Sequence, residues 1–115
     1  MRYLCLMREI LITPECLDFF ENQNERISNK FFQLIEVIQE IKIVHSNFIK
    51  KLTNTDFYEL RIKADNEIRV VIFTVDHLNF NECTQAICLV GFHKKSTKDY
   101  KKAIKQAEKL IEKYL

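Results

Sequence analysis

The sequence predicts an α+β fold in which an N-terminal strand and a helical hairpin precede an antiparallel β-meander and a C-terminal helix. Apolar residues recur at spacings of three and four over residues 25–41 and again over 100–114, as on one face of an amphipathic helix. Between these segments, residues 57–92 contain three strand-like runs, and apolar and polar side chains alternate in the first of them, residues 57–64. The 115 residues are 47% hydrophobic and contain no linker-like stretch. We therefore expect a single domain spanning residues 1–115.

The N-terminal elements are a strand and a helical hairpin. Residues 7–12 form a short apolar run, and Thr13 and Pro14 after it suit the cap and the first position of a helix. Polar residues at 22–24 interrupt this helix before the second one begins. The apolar stripe of the second helix, over 25–41, is assigned to the core, and a partner could cover one edge of it.

Three strands follow and form the meander. They are predicted over residues 57–64, 68–75 and 84–92. Asp65 and Asn66 mark the turn between the first two strands. The last helix begins after cap signals at Ser96 and Asp99, and Tyr100 is assigned to its apolar, core-facing stripe.

The hairpin register decides whether two strand arginines lie on one face of the sheet. A two-residue loop at 65–66 sends Arg61 and Arg69 to opposite faces, because a shift of one residue reverses every side chain. A three-residue loop over 65–67 sets Arg69 opposite Lys63, on the face of Arg61. Only the second register assembles a cationic face, and the sequence leaves both open.

Positive charge is concentrated at the C-terminus. Residues 94–115 carry eight lysines and three acidic residues, although the whole chain has a formal net charge of only +2. Such asymmetry favours a polyanion or an acidic protein as partner over a neutral small molecule. A solvated lysine face is the simpler interpretation of an isolated charge run.

The cysteines predict neither a metal centre nor a redox site. Cys5, Cys16, Cys83 and Cys88 form no CxxC pair and lie in no spacing with histidines that is typical of zinc ligands. We expect free, buried thiols. The apolar run at the N-terminus is too short for a signal peptide and no segment is long enough to cross a membrane, so we expect a cytoplasmic protein.

A candidate site lies where the last predicted strand becomes cationic, at Val90 Gly91 Phe92 His93 Lys94 Lys95. Gly91 is the only glycine of the chain, and we interpret it as backbone freedom placed beside a group of donors. His93 is a candidate for proton transfer because histidine is a common general acid or base, although a lone strand-end histidine is more often simply packed.

The sequence resembles the RelE/ParE superfamily of toxins, in its HigB-like, phage-derived branch, over roughly residues 7–114. Three elements in this order carry the resemblance: Tyr58 Glu59 Leu60 Arg61, then Ile68 Arg69 Val70, then Val90 Gly91 Phe92 His93 Lys94 Lys95. The proline that usually follows the last element is absent, and the hairpin turn lacks the usual glycine.

The resemblance implies a RelE-like fold and a toxin of a type II toxin–antitoxin system. Its relatives mostly act as mRNA interferases, which cleave messenger RNA in the ribosomal A site without a metal or an organic cofactor. The implied partners are a cognate antitoxin of helix-turn-helix type, the ribosome and mRNA. The alternative is a non-enzymatic inhibitory binder, such as a gyrase-directed ParE-like toxin.

The resemblance also assigns residues. The matched cationic positions are Arg61, Arg69, Lys94 and Lys95, and His93 beside them is a candidate catalytic residue. The candidate RNA-binding residues are Lys50, Lys51, Lys63, Lys98 and Lys101. No metal ligands are implied.

These cationic residue types suit RNA cleavage that uses no metal. The reaction needs an aligned 2′-hydroxyl, neutralisation of the phosphorane charge, and proton transfer at both ends. Arginines fork onto phosphate oxygens, and lysines add mobile point charges. The competing interpretation of Arg61 is an ordinary ion pair with Glu59, worth about 0.2–1 kcal/mol on an exposed sheet.

Overall fold

The computed structural model of the protein describes residues 6–63 and 67–115, and within these ranges three helices pack on a five-stranded sheet. The elements are β1 (Glu9–Ile12), α1 (Pro14–Glu21), α2 (Glu25–Glu40), β2 (Ile49–Lys51), β3 (Phe57–Lys63), β4 (Glu67–Thr74), β5 (Gln85–His93) and α3 (Thr97–Tyr114). The predicted α+β class is confirmed. Strand β2 was not predicted, because only Ile49 of its three residues is buried.

The sheet has the strand order β1-β5-β4-β3-β2. Strands β3, β4 and β5 form the predicted antiparallel meander, and β1 joins it by pairing in parallel with β5. Helices α1 and α2 cover one face of the sheet and α3 covers the other. We call these the α1/α2 face and the α3 face. The central strand β4 is therefore buried on both sides.

The helix starts follow the predicted caps. Thr13 accepts a hydrogen bond from the backbone N–H of Cys16 at 3.0 Å, and Pro14 opens α1. At the start of α3, the Asp99 carboxylate accepts from the backbone N–H groups of Lys95 at 2.7 Å and Ser96 at 2.9 Å, and these two bonds lower the pKa of Asp99. Capping satisfies N–H groups that have no partner inside the helix.

A β-bulge in β5 changes which of its side chains face each helix layer. Val90 pairs with Val71 and Cys88 pairs with Ile72, so Leu89 is the extra residue. Before the bulge, the even-numbered residues of β5 face α1 and α2. After it, the even-numbered residues face α3.

The only glycine is required for space and not for an unusual backbone angle. Within the described residues no glycine has a positive φ, so the freedom inferred from the sequence is not used. Instead, a Cβ on Gly91 would lie 2.4 Å from Cδ1 of Phe19, whose ring rests on the glycine. Gly91 therefore lets α1 approach β5 closely.

The cysteines of the described chain are free and buried, as predicted. Cys16, Cys83 and Cys88 carry no disulfide. Burial raises the pKa of the Cys16 thiol to about 12, and it raises the pKa of Cys88 well above its usual value. These thiols belong to the apolar core on the α1/α2 face.

Candidate functional site

The observed hairpin register brings the two strand arginines together. Arg61 lies directly opposite Arg69, and Lys63 lies opposite Glu67. This is neither of the two registers considered from the sequence, and the predicted turn at Asp65 and Asn66 lies outside the described residues. Because residues directly opposite each other in an antiparallel pair share a face, both arginines point to the α3 face.

A buried carboxylate holds the first arginine. Nε of Arg61 donates to Oε1 of Glu59 at 2.9 Å, while the Glu59 residue is only 3% exposed. The described residues offer no hydrogen-bond partner to the two Nη nitrogens of Arg61. The ion pair considered from the sequence is therefore present, but it is largely desolvated. Because this ion pair uses only Nε, the two Nη nitrogens of Arg61 are left to bind a ligand.

The second arginine lies deeper. Arg69 is 8% exposed, and its Nη1 donates to the backbone carbonyl of Ile68 at 3.1 Å. Its Nε is buried without a hydrogen-bond partner among the described residues, as is Oε2 of Glu59. A buried cation and a buried carboxylate, each with one unsatisfied atom, make a costly arrangement that is typical of functional sites.

Tyr100 also belongs to this site, although the sequence assigned it to the core. Its ring packs edge-on against Phe92 at a centroid distance of 5.3 Å, as a core residue would. Its hydroxyl lies beside the two charged groups: burial raises the pKa of Tyr100, Glu59 raises it further, and Arg69 lowers it. The phenol is therefore held protonated, as a hydrogen-bond donor.

A cleft of about 370 Å³ lies between α3 and the edge of the sheet. Arg69 is not among its lining residues, which include Lys50, Lys51, Glu59, Arg61, Tyr100 and Lys101. Lys50 lies opposite Glu59 in the β2–β3 pair, which places it on the α3 face as well. We call this cleft the cationic cleft.

Two predicted cations lie beside the cationic cleft at the end of β5. Nζ of Lys94 is 3.9 Å from a carboxylate oxygen of Glu67 and 5.9 Å from the ring centroid of Tyr100. The backbone N–H of Lys95 donates to Asp99 at 2.7 Å. Lys94 can reach a ligand bound at Tyr100, whereas Lys95 is exposed at the start of α3.

Other predicted residues are placed elsewhere. His93 lies opposite Ile68 and its ring is 5.4 Å from that of Phe19, so it is on the α1/α2 face, away from the arginines. Lys51 lies opposite Tyr58, with Nζ 5.4 Å from its ring centroid, and donates to the carbonyl of Thr55. Its ammonium group is thus turned from the cationic cleft.

The last two predicted RNA-binding lysines also lie outside the cationic cleft. Lys63 is exposed and lines a different groove, beside α2. Lys98 is exposed in the first turn of α3 and is not among the residues that line the cleft. Of the five predicted RNA-binding lysines, Lys50, Lys51 and Lys101 line the cleft, and the ammonium group of Lys51 is turned away from it.

The sequence over residues 18–112 matches the family described as phage-derived protein Gp49-like. The chain belongs to the Gp49-like family. This family is one of RelE-type toxins, which confirms the predicted superfamily and the toxin class of toxin–antitoxin systems. No curated protein matches the sequence.

The Gp49-like chain also has the fold of a solved toxin structure. A free-state double mutant of the E. coli toxin RelE superposes with a TM-score of 0.60, at 13% sequence identity. The match covers 84% of this chain and 94% of that one. At this identity the match shows the fold alone, and it confirms the predicted RelE-like arrangement.

The chemistry available to this Gp49-like protein is that of cations, a phenol and one buried carboxylate. Over residues 6–63 and 67–115, no group of three His, Cys, Asp or Glu side chains could hold a metal ion. No helix in these ranges is long and apolar enough to cross a membrane. The cationic cleft is suited to bind a phosphate group and stabilise added negative charge on it.

Proposed function

We propose that this protein is an endoribonuclease toxin that cuts messenger RNA on the ribosome in the cytoplasm, without a metal, and that a cognate antitoxin of helix-turn-helix type silences it. One observation supports the proposal: Arg61 lines an open cationic cleft and lies directly opposite the buried Arg69. Two like charges placed opposite each other destabilise a sheet unless something negative joins them. A phosphodiester is such a group.

In the proposed reaction, the ribose 2′-hydroxyl loses its proton as its oxygen attacks the adjacent phosphorus, and the 5′-oxygen takes up a proton as its bond to phosphorus breaks. The products are a 2′,3′-cyclic phosphate and a 5′-hydroxyl end. The Nη nitrogens of Arg61 would bind the non-bridging oxygens, whose charge grows in the transition state. The protonated hydroxyl of Tyr100 would donate a further hydrogen bond, and Lys50 and Lys101 would neutralise the flanking backbone.

The outer face of α3 supplies a second contact region for RNA. Lys102, Lys105 and Lys109 are exposed on it, whereas Lys113 pairs with Glu15 at 3.2 Å. We assign Lys102, Lys105 and Lys109 to docking on ribosomal RNA. This contact is independent of sequence and weakens steeply as the salt concentration rises.

The experiment compares message cleavage in a translating extract by the wild-type chain, Arg61→Ala and Arg26→Ala. We expect Arg61→Ala to lose about 100-fold in cleavage rate, because it removes a donor that acts mainly in the transition state. Arg26→Ala is the matched control on α2 and should stay within twofold of the wild type. Thermal unfolding followed by circular dichroism verifies that each variant is folded.

Two results would contradict the proposal. One is full cleavage by a folded Arg61→Ala variant, which would remove the site from the reaction. The other is a wild-type chain that leaves messages intact and blocks DNA supercoiling by gyrase. That result would favour the inhibitory-binder alternative.

A further inference from the structure

A second groove, on the opposite face of the sheet, lies between α2 and the open end of β3. It has a volume of about 210 Å³. Its apolar floor is formed by Leu34, Val37, Phe48 and Ile62. Val37 is 48% exposed and Phe48 38% exposed, which is unusual for neighbouring large apolar side chains. We call it the α2 groove.

The α2 groove is open because β2 is short. Strand β2 pairs with β3 only at residues 58–60, and the last bond across this edge joins the N–H of Arg61 to the carbonyl of Phe48 at 2.8 Å. Beyond that bond, residues 61–63 of β3 have no strand beside them on this edge among the described residues. The stripe of α2 that the sequence assigned to the core is therefore uncovered along its Leu34 and Val37 side.

The rim of the α2 groove has one sign of charge. Lys30, Arg61 and Lys63 line it, and no acidic residue of ranges 6–63 and 67–115 does. Its floor is mostly aliphatic, which suits apolar side chains better than stacked bases, so the complement is a protein segment with carboxylates. A helix fits better than a strand, because the open edge of β3 is only three residues long and Leu34 and Val37 present a helical ridge.

Arg61 connects the two sites, since it lines both the α2 groove and the cationic cleft. Its guanidinium is bonded to Glu59 on the α3 face, so a helix in the groove would contact Arg61 from the other side of the sheet. We propose that the α2 groove receives an acidic amphipathic helix of the neutralising partner, and that docking against this strand edge displaces the Arg61 guanidinium from phosphate. The inference rests on the proposed function for the existence of that partner. By linkage, bound RNA must weaken partner binding by the same factor.

The test measures the affinity of the purified cognate antitoxin for four forms of the toxin. Val37→Ser replaces an apolar side chain of the groove floor with a polar one, and Lys30→Glu reverses one charge on the rim. Each substitution should weaken antitoxin binding at least tenfold. Leu78→Ser changes an apolar residue that is 77% exposed in another loop, and it should bind like the wild type. Equal affinity for all four forms, or no binding by the wild type, would overturn the docking site.

The coupling is tested with a 2′-deoxy oligonucleotide, which cannot be cleaved. It should weaken antitoxin binding to the wild type at least fivefold and to Arg61→Ala less than twofold. Coupling that survives in Arg61→Ala would refute the role of Arg61.

Cleavage by Val37→Ser without antitoxin should equal that of the wild type. A chain with no cleavage activity but groove-dependent antitoxin binding would reject the proposed function and leave the docking site standing.

Discussion

Substituting the only glycine, Gly91→Ala, should destabilise the protein through one contact. The new Cβ would lie 2.4 Å from Cδ1 and 3.0 Å from Cε1 of Phe19, whereas ordinary contact begins near 3.4 Å. The Phe19 ring must therefore move by about 1 Å, and it is confined by the fully buried ring of Phe20 at a centroid distance of 5.0 Å. Overpacking of this kind costs about 1–3 kcal/mol.

Urea unfolding followed by circular dichroism measures the cost, and a thermal midpoint lowered by roughly 4 °C per kcal/mol gives an independent reading. The decisive comparison is a double-mutant cycle with Phe19→Ala. Without the ring, Gly91→Ala should be neutral or slightly stabilising, because alanine restricts the unfolded chain more than glycine does. The expected coupling energy is about 1–3 kcal/mol. An equal cost of Gly91→Ala with and without the Phe19 ring would refute the explanation.

Two further predictions concern the core. Arg8 is buried and donates to three backbone carbonyl groups at the C-terminal end of α2. Its guanidinium carbon lies 4.7 Å from the ring centroid of Phe80. Arg8→Ala should therefore lower the free energy of unfolding, measured in urea, by at least about 3 kcal/mol. A loss below about 1 kcal/mol would show that water replaces these bonds. Iodoacetamide at pH 8 should leave Cys16 and Cys88 unmodified in the folded protein, because burial raises both pKa values far above that pH, and should modify both in urea. Mass spectrometry gives the sites, and rapid labelling of folded Cys16 would contradict its burial.

The helices were predictable because their signals are local. The apolar spacing and the caps at Thr13 and Asp99 lie within a few residues of each other, and both determine where a helix begins. The pairing of β1 with β5 was not predictable, because it joins segments more than 70 residues apart. The short strand β2 gave no periodic signal. Because β2 was not predicted, neither Lys50 nor Lys51 could be assigned to a face of the sheet. In the structure, the side chain of Lys50 points to the cationic cleft and that of Lys51 points to the other face.

The sequence identified the two strand arginines and the lysines near Gly91, but it could not sort them by face. Adjacent residues of a strand point to opposite sides, and at the end of β5 only Lys94 approaches Tyr100, although His93, Lys94 and Lys95 also line a small pocket with Glu67. The bulge at Leu89 then decides which of them joins the arginines, since it reverses the alternation within β5. Nothing in the composition of β5 marks the extra residue. Tyr100 was misassigned for a different reason: its ring is a core group and its hydroxyl is a site group.

The pairing of Arg61 with Arg69 works against the stability of the sheet, and the fold offsets it incompletely. Glu59 satisfies Arg61 through a single bond, while Oε2 of Glu59 and Nε of Arg69 remain buried without hydrogen-bond partners among the described residues. A core built only for stability would replace these groups with apolar ones at little or no cost. The buried Arg69 is explained if an anion accepts from its Nε, because an unsatisfied donor that destabilises the free protein favours the bound state, whereas Oε2 of Glu59 needs a hydrogen-bond donor. On this argument, inorganic phosphate should raise the thermal midpoint of the wild type more than that of Arg61→Ala. Equal shifts would mean that the charge pair has only a structural role.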